Sequence, residues 1–324
     1  MKPTRRAVLA AGMASLAAPA VHAQGALIPL RVGVIPILAA SPIFVADRLG
    51  WLREAGLAAS VTTFESGPHM IQALASNTLD LYVAGVAPLG VARSRGIDVK
   101  VVASTAIEEN VFLAGPKLAR FFEPGISKAE AFKRYRAATG APARLATQPA
   151  GSVPNTTLQY WLWEVVKAAP ADVTIVPMGI DATQQAVLVG AVEGGTLREP
   201  AVTIVTQRDP SIKLLALGGE MFPNQPGTVA AIMRGFLDRN PEPSAGLVRA
   251  IVRAVTLIQR EPAKAAPAIE AAMGKGLIDA ATIQRALASP ASRFSADPRV
   301  IIEATAEMQR YQVKLGSLER ELPL

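Results

Sequence analysis

Short runs of apolar, β-branched residues recur along the first hundred positions, separated by segments whose apolar residues have helical spacing. The runs predict strands at Leu30–Ile35, Ala59–Phe64, Leu79–Ala84 and Val99–Ala103. The segments between them predict helices at Pro42–Leu49, Met70–Ala75 and Pro88–Ser94. Strands that alternate with helices indicate an α/β fold, in which helices cover both faces of a mostly parallel sheet.

The same alternation restarts after a basic stretch at Lys117–Arg136. Strands are predicted at Ala143–Thr147 and Val173–Val176, with weaker ones at Val202–Thr206 and Lys213–Leu217. Helices are predicted at Asn155–Ala168, Ala182–Val192, Ser244–Arg260, Ala263–Met273, Asp279–Ala288 and Val300–Leu315. Because the βα pattern occurs twice in different sequence, we expect two α/β lobes with a cleft between them.

Four predicted helices begin with a proline directly after a strand-to-helix turn. These starts are Ser41-Pro42, Gly67-Pro68, Ala87-Pro88 and Val153-Pro154. Proline suits the first helical turn, and Ser41, Ser66 and Ser152 stand where a side chain can cap the helix. In a parallel α/β sheet such starts lie at the carboxyl edge of the strands, where free N–H groups and the helix dipole favour an anion. The pattern therefore favours an anion-binding cleft over four ordinary caps.

The N-terminus has the pattern of an export signal. Lys2, Arg5 and Arg6 precede the apolar run Ala7–Ala18, which is too short to span a bilayer, and Val21-His22-Ala23 places small residues at positions −3 and −1. We therefore predict a signal peptide over residues 1–23, cleavage after Ala23 and a periplasmic location. The adjacent arginines match a twin-arginine signal in part, and the run also suits general secretion.

Charge and composition exclude several classes of function. The formal net charge is +7, and loss of three positive charges with the leader leaves +4, without a basic cluster interleaved with aromatic residues. Nucleic-acid binding is therefore not expected. The chain has no cysteine, which rules out disulfides, thiolate catalysis and cysteine metal sites. It also lacks a P-loop, an H-E-x-x-H motif, a nucleophile elbow and a dinucleotide fingerprint, so we expect no catalytic residue, cofactor or metal.

Several stretches of this sequence resemble, in the same order, the solute-binding proteins of ABC importers for nitrate, sulfonates and taurine. The stretches are LRVGVIPILAASPIFVADRLGWLREAGL (Leu30–Leu57), ALASNTLDLYVAGVAPLGVARSRG (Ala73–Gly96), Glu199-Pro200 and TAEMQRYQVKLGSL (Thr305–Leu318). The chain departs from the family pattern at Asn77, where a glycine is usual, and at Gly194, where an aspartate is common. The turn after Ala143 lacks the family's usual opening but keeps Gly151-Ser152.

The resemblance implies a two-lobed, type II periplasmic-binding-protein fold. Lobe I would comprise residues 24–106 and 233–324, and lobe II residues 107–232, with two crossings as a hinge. It further implies a monomer that captures a small molecule by lobe closure, delivers it to an ABC permease with its ATPase, and meets the membrane only through that permease.

The predicted ligand site combines the turns and helix starts of both lobes. Its members are Ser41, Ser66, Gly67, His69, Gly85, Ala87, Gln148, Ser152, Asn155 and Glu199. His69 is either a donor to an anionic oxygen or a solvated or capping residue at the start of its helix. Asp80 is expected to hold a turn through hydrogen bonds to the backbone.

Glu199 leaves the class of ligand open. A carboxylate beside a cleft needs a cation or a hydrogen-bond donor as its partner. For Glu199 the candidates are a substrate amine, Arg198 or another residue of the lobe. The helix starts favour a small anion such as a sulfonate or nitrate, whereas an amine partner favours taurine or a heterocycle such as a pyrimidine. An enzyme on the same fold is a further alternative, although the thiamine-pyrimidine synthases that resemble this family carry a cysteine-rich iron segment. A binding subunit for a sensor is another.

Overall fold

A computed structural model describes residues 26–274 and 278–324, so the predicted leader lies outside the described residues. The strands are β1 (Ile28–Val34), β2 (Leu57–Thr63), β3 (Leu81–Gly85), β4 (Val99–Ser104), β5 (Ala106–Ile107), β6 (Val111–Ala114), β7 (Ala143–Thr147), β8 (Val173–Pro177), β9 (Gly194–Leu197), β10 (Lys213–Ala216), β11 (Thr228–Met233) and β12 (Arg293–Phe294). They form two five-stranded sheets and one short pair, β5 with β12.

Helices surround both sheets. They are α1 (Ser41–Arg48), α2 (Trp51–Glu54), α3 (Gly67–Ala75), α4 (Ala87–Ser94), α5 (Pro116–Ala119), α6 (Lys128–Thr139), α7 (Val153–Tyr160), α8 (Ile180–Leu188), α9 (Ala201–Arg208), α10 (Gly218–Met221), α11 (Arg234–Arg239), α12 (Pro241–Arg260), α13 (Pro262–Ile269), α14 (Ala280–Leu287) and α15 (Ile302–Lys314). Within the described ranges, none of them is long and apolar enough to cross a membrane.

The first sheet has the strand order β2-β1-β3-β11-β4. Strand β1 pairs in parallel with β2 and β3, so that Val32 lies opposite both Val61 and Leu81. Only β11 is reversed, because it is antiparallel to both of its neighbours. Four strands therefore share one direction, which confirms the predicted mostly parallel sheet.

The second sheet repeats this plan in the order β10-β6-β9-β7-β8. Strand β7 pairs in parallel with β8 and β9, whereas β6 is antiparallel to β9 and β10. Each sheet thus has one reversed strand next to the end of the order. The two sheets confirm the predicted two-lobed α/β architecture, and we call them the first and second lobes.

The chain crosses between the lobes twice, once before β6 and once between β10 and β11. Strand β11 belongs to the first sheet, although the sequence analysis placed residues 107–232 in the second lobe. The boundary at residue 232 is therefore too late. We propose that the chain returns to the first lobe before Thr228.

The predicted strand Val202–Thr206 is wrong, because these residues lie within helix α9. Val202 and Val205, three positions apart, are both buried in the apolar core of the second lobe. The Glu199 carboxylate accepts the backbone N–H of Thr203 at 3.0 Å, which satisfies one of the free donors of the first turn. Tertiary packing and this cap thus outweigh the strand preference of a β-branched run.

Candidate functional site

The carboxyl ends of strands from both lobes face each other and are in contact. The Leu38 N–H donates to the carbonyl oxygen of Glu199 at 2.8 Å, and the Ile180 N–H donates to that of Glu65 at 3.3 Å. Gly85, the last residue of β3, packs so closely on α7 that an added Cβ would lie 2.8 Å from Val153 Cγ2. The turns that the sequence analysis selected therefore lie at the junction of the lobes, as expected for a sheet edge of this kind.

Ser66 and Gly67 form a buried wall at the start of α3. Ser66 precedes the helix, yet its hydroxyl caps nothing and has no hydrogen-bond partner among the described residues. Gly67 lies against the Tyr82 hydroxyl, which donates to the Gly85 carbonyl oxygen at 2.7 Å. Burial raises the pKa of Tyr82, so the phenol is neutral and acts as a donor. A buried serine hydroxyl without a partner is the group most available to a ligand here.

Three other predicted site residues of the first lobe have different surroundings. Ser41 does not cap α1, because the helix begins at Ser41 itself and its Oγ lies 4.0 Å from Met273 Sδ. His69 is exposed on α3, so it is not enclosed with Ser66. The carbonyl oxygen of Ala87 accepts a hydrogen bond from Gln312 Nε2 at 3.4 Å, and the same nitrogen donates to Gly151 of the second lobe.

The second-lobe turn is held together by its own polar side chains. Ser152 caps α7, as predicted, by accepting the Asn155 N–H at 3.3 Å. Asn155 donates to the carbonyl oxygen of Gln148 at 3.1 Å and accepts from Gln159 at 2.8 Å. The Ser152 oxygen and the Asn155 amide thus already have protein partners. Gln148 is buried beside them.

Glu199 binds its own helix. Its two carboxylate oxygens accept the backbone N–H and the hydroxyl of Thr203, each at 3.0 Å. Burial raises the pKa of Glu199, and the hydrogen bonds from Ser289 and Thr203 partly offset that rise. The sequence left three possible partners for this carboxylate. In the structure its partner is another residue of the lobe, Thr203, rather than Arg198.

The sequence suggested the neighbouring Arg198 only as a partner of Glu199, and missed it as a candidate ligand contact. Arg198 is 3 % exposed, and neither terminal guanidinium nitrogen has a hydrogen-bond partner among the described residues. Its nearest counter-charge is Glu109, whose Oε1 lies 3.7 Å from Arg198 Nη1, beyond hydrogen-bond distance. Burial lowers the pKa of Arg198, but a guanidinium remains protonated at neutral pH. A buried cation with free donors is a strong site for an anion.

Arg198 lines a cavity of about 530 Å³ at the junction of the lobes. Pro36 and Ile37 of the first lobe and Ile180 of the second lobe form apolar parts of its wall. The other charged residues that line it are Asp181, Arg208 and Asp279. This volume is in the range of small-molecule sites, and its walls combine apolar side chains with a few polar groups.

The described ranges contain no group of three or more His, Cys, Asp or Glu residues that could hold a metal ion. The junction of the lobes thus presents two buried polar groups without a hydrogen-bond partner among the described residues, the Arg198 guanidinium and the Ser66 hydroxyl.

Comparisons with known proteins agree with this architecture. Residues 24–273 match the profile of the NMT1-like family. A curated relative, the nitrate import ATP-binding protein NrtC of Synechococcus elongatus, is 24% identical over 229 residues, which are 69% of this chain. The chain spans about a third of the length of that relative (34%).

Two solved structures share the fold. The alkanesulfonate-binding protein SsuA from Xanthomonas axonopodis pv. citri, bound to MOPS, has a TM-score of 0.67 and 21% identity, with 88% of this chain and 93% of that chain covered. The aliphatic sulphonate-binding protein SsuA from Escherichia coli has a TM-score of 0.69 and 18% identity, with 91% and 94% covered. Because the family profile matches more than half of the chain, the protein belongs to the NMT1-like family.

Proposed function

We propose that the protein is the extracytoplasmic solute-binding component of an ABC importer, and that it captures a small organic anion without chemical turnover. The observation that carries this proposal is Arg198, a buried cation whose terminal nitrogens have no hydrogen-bond partner among the described residues, and which borders a cavity between the two lobes. Removing a charged group from water is costly unless a partner compensates for it. An anionic ligand would supply the missing hydrogen bonds.

Ser66 and the backbone donors at the start of α3 are the proposed second contact. The Ser66 hydroxyl is buried and has no partner in the part of the chain that the structure describes, and the helix start adds N–H groups and a partial positive charge. Two other predicted contacts, Ser152 and Asn155, hold together the turn before α7. His69 is exposed, so we leave it outside the proposed site.

The charge at the site supports an anion over an amine-bearing ligand. Glu199, the carboxylate that would have held an amine, accepts two hydrogen bonds from Thr203. A sulfonate fits the fold relatives that are named as sulfonate-binding proteins, and nitrate fits the curated relative. A pyrimidine or another neutral heterocycle is the alternative.

We further propose that the protein is periplasmic, that it captures its ligand by lobe closure, and that it delivers the ligand to a permease with its ATPase. The fold relative from Xanthomonas is named an alkanesulfonate-binding protein, and the one from Escherichia coli is named a periplasmic aliphatic sulphonate-binding protein. Export would remove residues 1–23, so N-terminal sequencing of the exported protein should begin at Gln24. A retained leader would contradict the proposed cleavage site.

The proposal is tested by ligand-dependent thermal stabilisation of the protein after any co-purified ligand has been removed. Ethanesulfonate, taurine and nitrate form the anion set, and 4-amino-2-methylpyrimidine represents the heterocycles. We expect an anion to raise the melting temperature, and Arg198→Met to weaken its binding by roughly ten- to a hundredfold while the protein still unfolds cooperatively.

Arg134→Gln is the matched control, because Arg134 is a solvent-exposed arginine on α6 that pairs with Glu130. It should bind the anion like the wild type. Stabilisation by the pyrimidine alone would favour the heterocycle, and a chemically altered ligand after incubation would contradict a binding protein without turnover.

A further inference from the structure

Glu109 and Arg198 form a buried pair at the junction of the lobes. Their side chains are 4 % and 3 % exposed, and the nearest charged atoms are 3.7 Å apart. Glu109 lies on the first crossing, two residues before β6 begins at Val111, whereas Arg198 directly follows β9 of the second lobe. The Glu109 carboxylate is also bound by β11, the strand with which the chain returns to the first lobe, because the Thr228 hydroxyl donates to Glu109 Oε1.

Few other ionisable groups face Glu109. Thr228 contacts it from β11, and Arg198 faces it from the turn after β9. A cavity of about 10 Å³ separates it from Glu199, and the rest of that cavity is lined by Leu38, Ala39, Ala106, Ala291, Ser292 and Phe294. Tyr82 is close enough to Arg198 to interact with its charge, and this phenol is neutral. Arg198 is thus the one cation near Glu109 within the described part of the chain.

We propose that Glu109 is the specificity-determining counter-charge of the ligand site, so that a bound anion displaces it as the partner of Arg198 and Glu109 takes up a proton. This inference rests on the proposed function. With Glu109 ionised and no ligand bound, the pair has no net charge. A monoanion on Arg198 leaves one uncompensated negative charge in a buried place, and one proton on Glu109 removes it.

Two consequences follow for the ligand class and for pH. A dianion would leave a second negative charge that Glu109 cannot neutralise, so the site should prefer monoanions such as sulfonates over dianions such as sulfate.

Burial raises the pKa of Glu109 and the charge of Arg198 lowers it, so neutralising Arg198 with an anion raises the pKa of Glu109 further. Between the free and bound pKa values, anion affinity therefore falls as pH rises, by up to about tenfold per pH unit for one proton.

Titration calorimetry with ethanesulfonate tests this coupling directly. The sulfonate is ionised throughout pH 5 to 9, so any pH dependence of binding comes from the protein. Measurement in buffers of different ionisation enthalpy gives the number of protons taken up on binding. We expect uptake approaching one proton within this range, and weaker binding of sulfate at the same pH.

Glu109→Gln should abolish both proton uptake and the pH dependence. Glu193→Gln is the matched control, because Glu193 is also a buried carboxylate paired with an arginine, Arg144, whose backbone N–H in β7 it accepts. The control should keep both effects. If Glu109→Gln fails to fold, the wild-type proton count alone decides.

Ethanesulfonate binding without proton uptake at any pH in the range would overturn this inference and leave the proposed function intact. Equal affinity for sulfate and ethanesulfonate would also overturn it. Absence of binding by ethanesulfonate, taurine and nitrate at every pH would overturn the proposed function together with the inference.

Discussion

Gly85→Ala should hinder the approach of the two lobes. The new methyl would lie 2.8 Å from Val153 Cγ2 and 3.2 Å from its Cβ. Carbon atoms in contact prefer about 3.5 to 4.0 Å, so the methyl carbon would overlap the valine. Because Gly85 ends β3 of the first lobe and Val153 begins α7 of the second, separation of the lobes relieves the overlap.

Overpacking of this kind costs about 1–3 kcal/mol. If the ligand binds only when the lobes meet, that cost should weaken ethanesulfonate binding by about 5- to 150-fold. Calorimetry gives the affinity, and small-angle X-ray scattering gives the radius of gyration with and without ligand. We expect the variant to be more extended than the wild type without ligand.

Gly90→Ala is the control for this prediction. An added Cβ at Gly90 lies 3.7 Å from its nearest neighbour, Leu318 Cδ2, which is ordinary van der Waals contact. It should leave affinity and shape unchanged. If Gly85→Ala binds as tightly as the wild type and has the same radius of gyration, contact between β3 and α7 is not part of the ligand-bound state.

Three further predictions concern single side chains. Ser66→Ala removes a buried hydroxyl that has no partner among the described residues, so urea denaturation should show a stability gain of about 1–3 kcal/mol. Calorimetry should show weaker ethanesulfonate binding, and unchanged affinity would remove Ser66 from the site. Ser152→Ala removes the cap of α7 and should cost about 1 kcal/mol of stability, as should Ser127→Ala at the start of α6, and an effect near zero would refute the capping role. Burial tends to raise the pKa of Asp80, but hydrogen bonds from Arg31 hold it below its usual value. The ionised Asp80 therefore stabilises the fold above about pH 4, and this contribution is lost as pH falls towards the lowered native pKa. Asp80→Asn should lose that part of the pH dependence of unfolding. A pH profile identical to that of the wild type would contradict this.

Much of the fold follows from local pattern. The alternation of β-branched runs and helical segments is sufficient to predict β1 to β4 and the two lobes, because each βα unit has its own periodicity. Strand β11 was missed since its run TVAAIM is buried on both faces and has no alternation. Its reversed direction depends on pairing with β3 and β4, which are more than a hundred residues earlier.

The site was harder to predict than the fold. Ser66, Gly67 and Gly85 could be selected because a turn before a helix start is visible in sequence. Arg198 could not, because its significance depends on burial and on Glu109, which is 89 positions away in the chain. The sequence pointed to the adjacent Glu199 as a ligand contact. Its carboxylate oxygens instead accept hydrogen bonds from Thr203, which is four residues further along the chain. The spacing of four residues between Glu199 and Thr203 was the signal in the sequence that could have indicated this local hydrogen bond.

The central claim is that a small organic anion binds between the lobes at Arg198. The most direct measurement is the bromine anomalous signal in a crystal of the protein with 2-bromoethanesulfonate. The account predicts one strong peak in the cavity between the lobes, with the sulfonate oxygens within hydrogen-bond distance of the Arg198 guanidinium. A peak elsewhere on the protein, with the cavity empty and the lobes in contact, would contradict it.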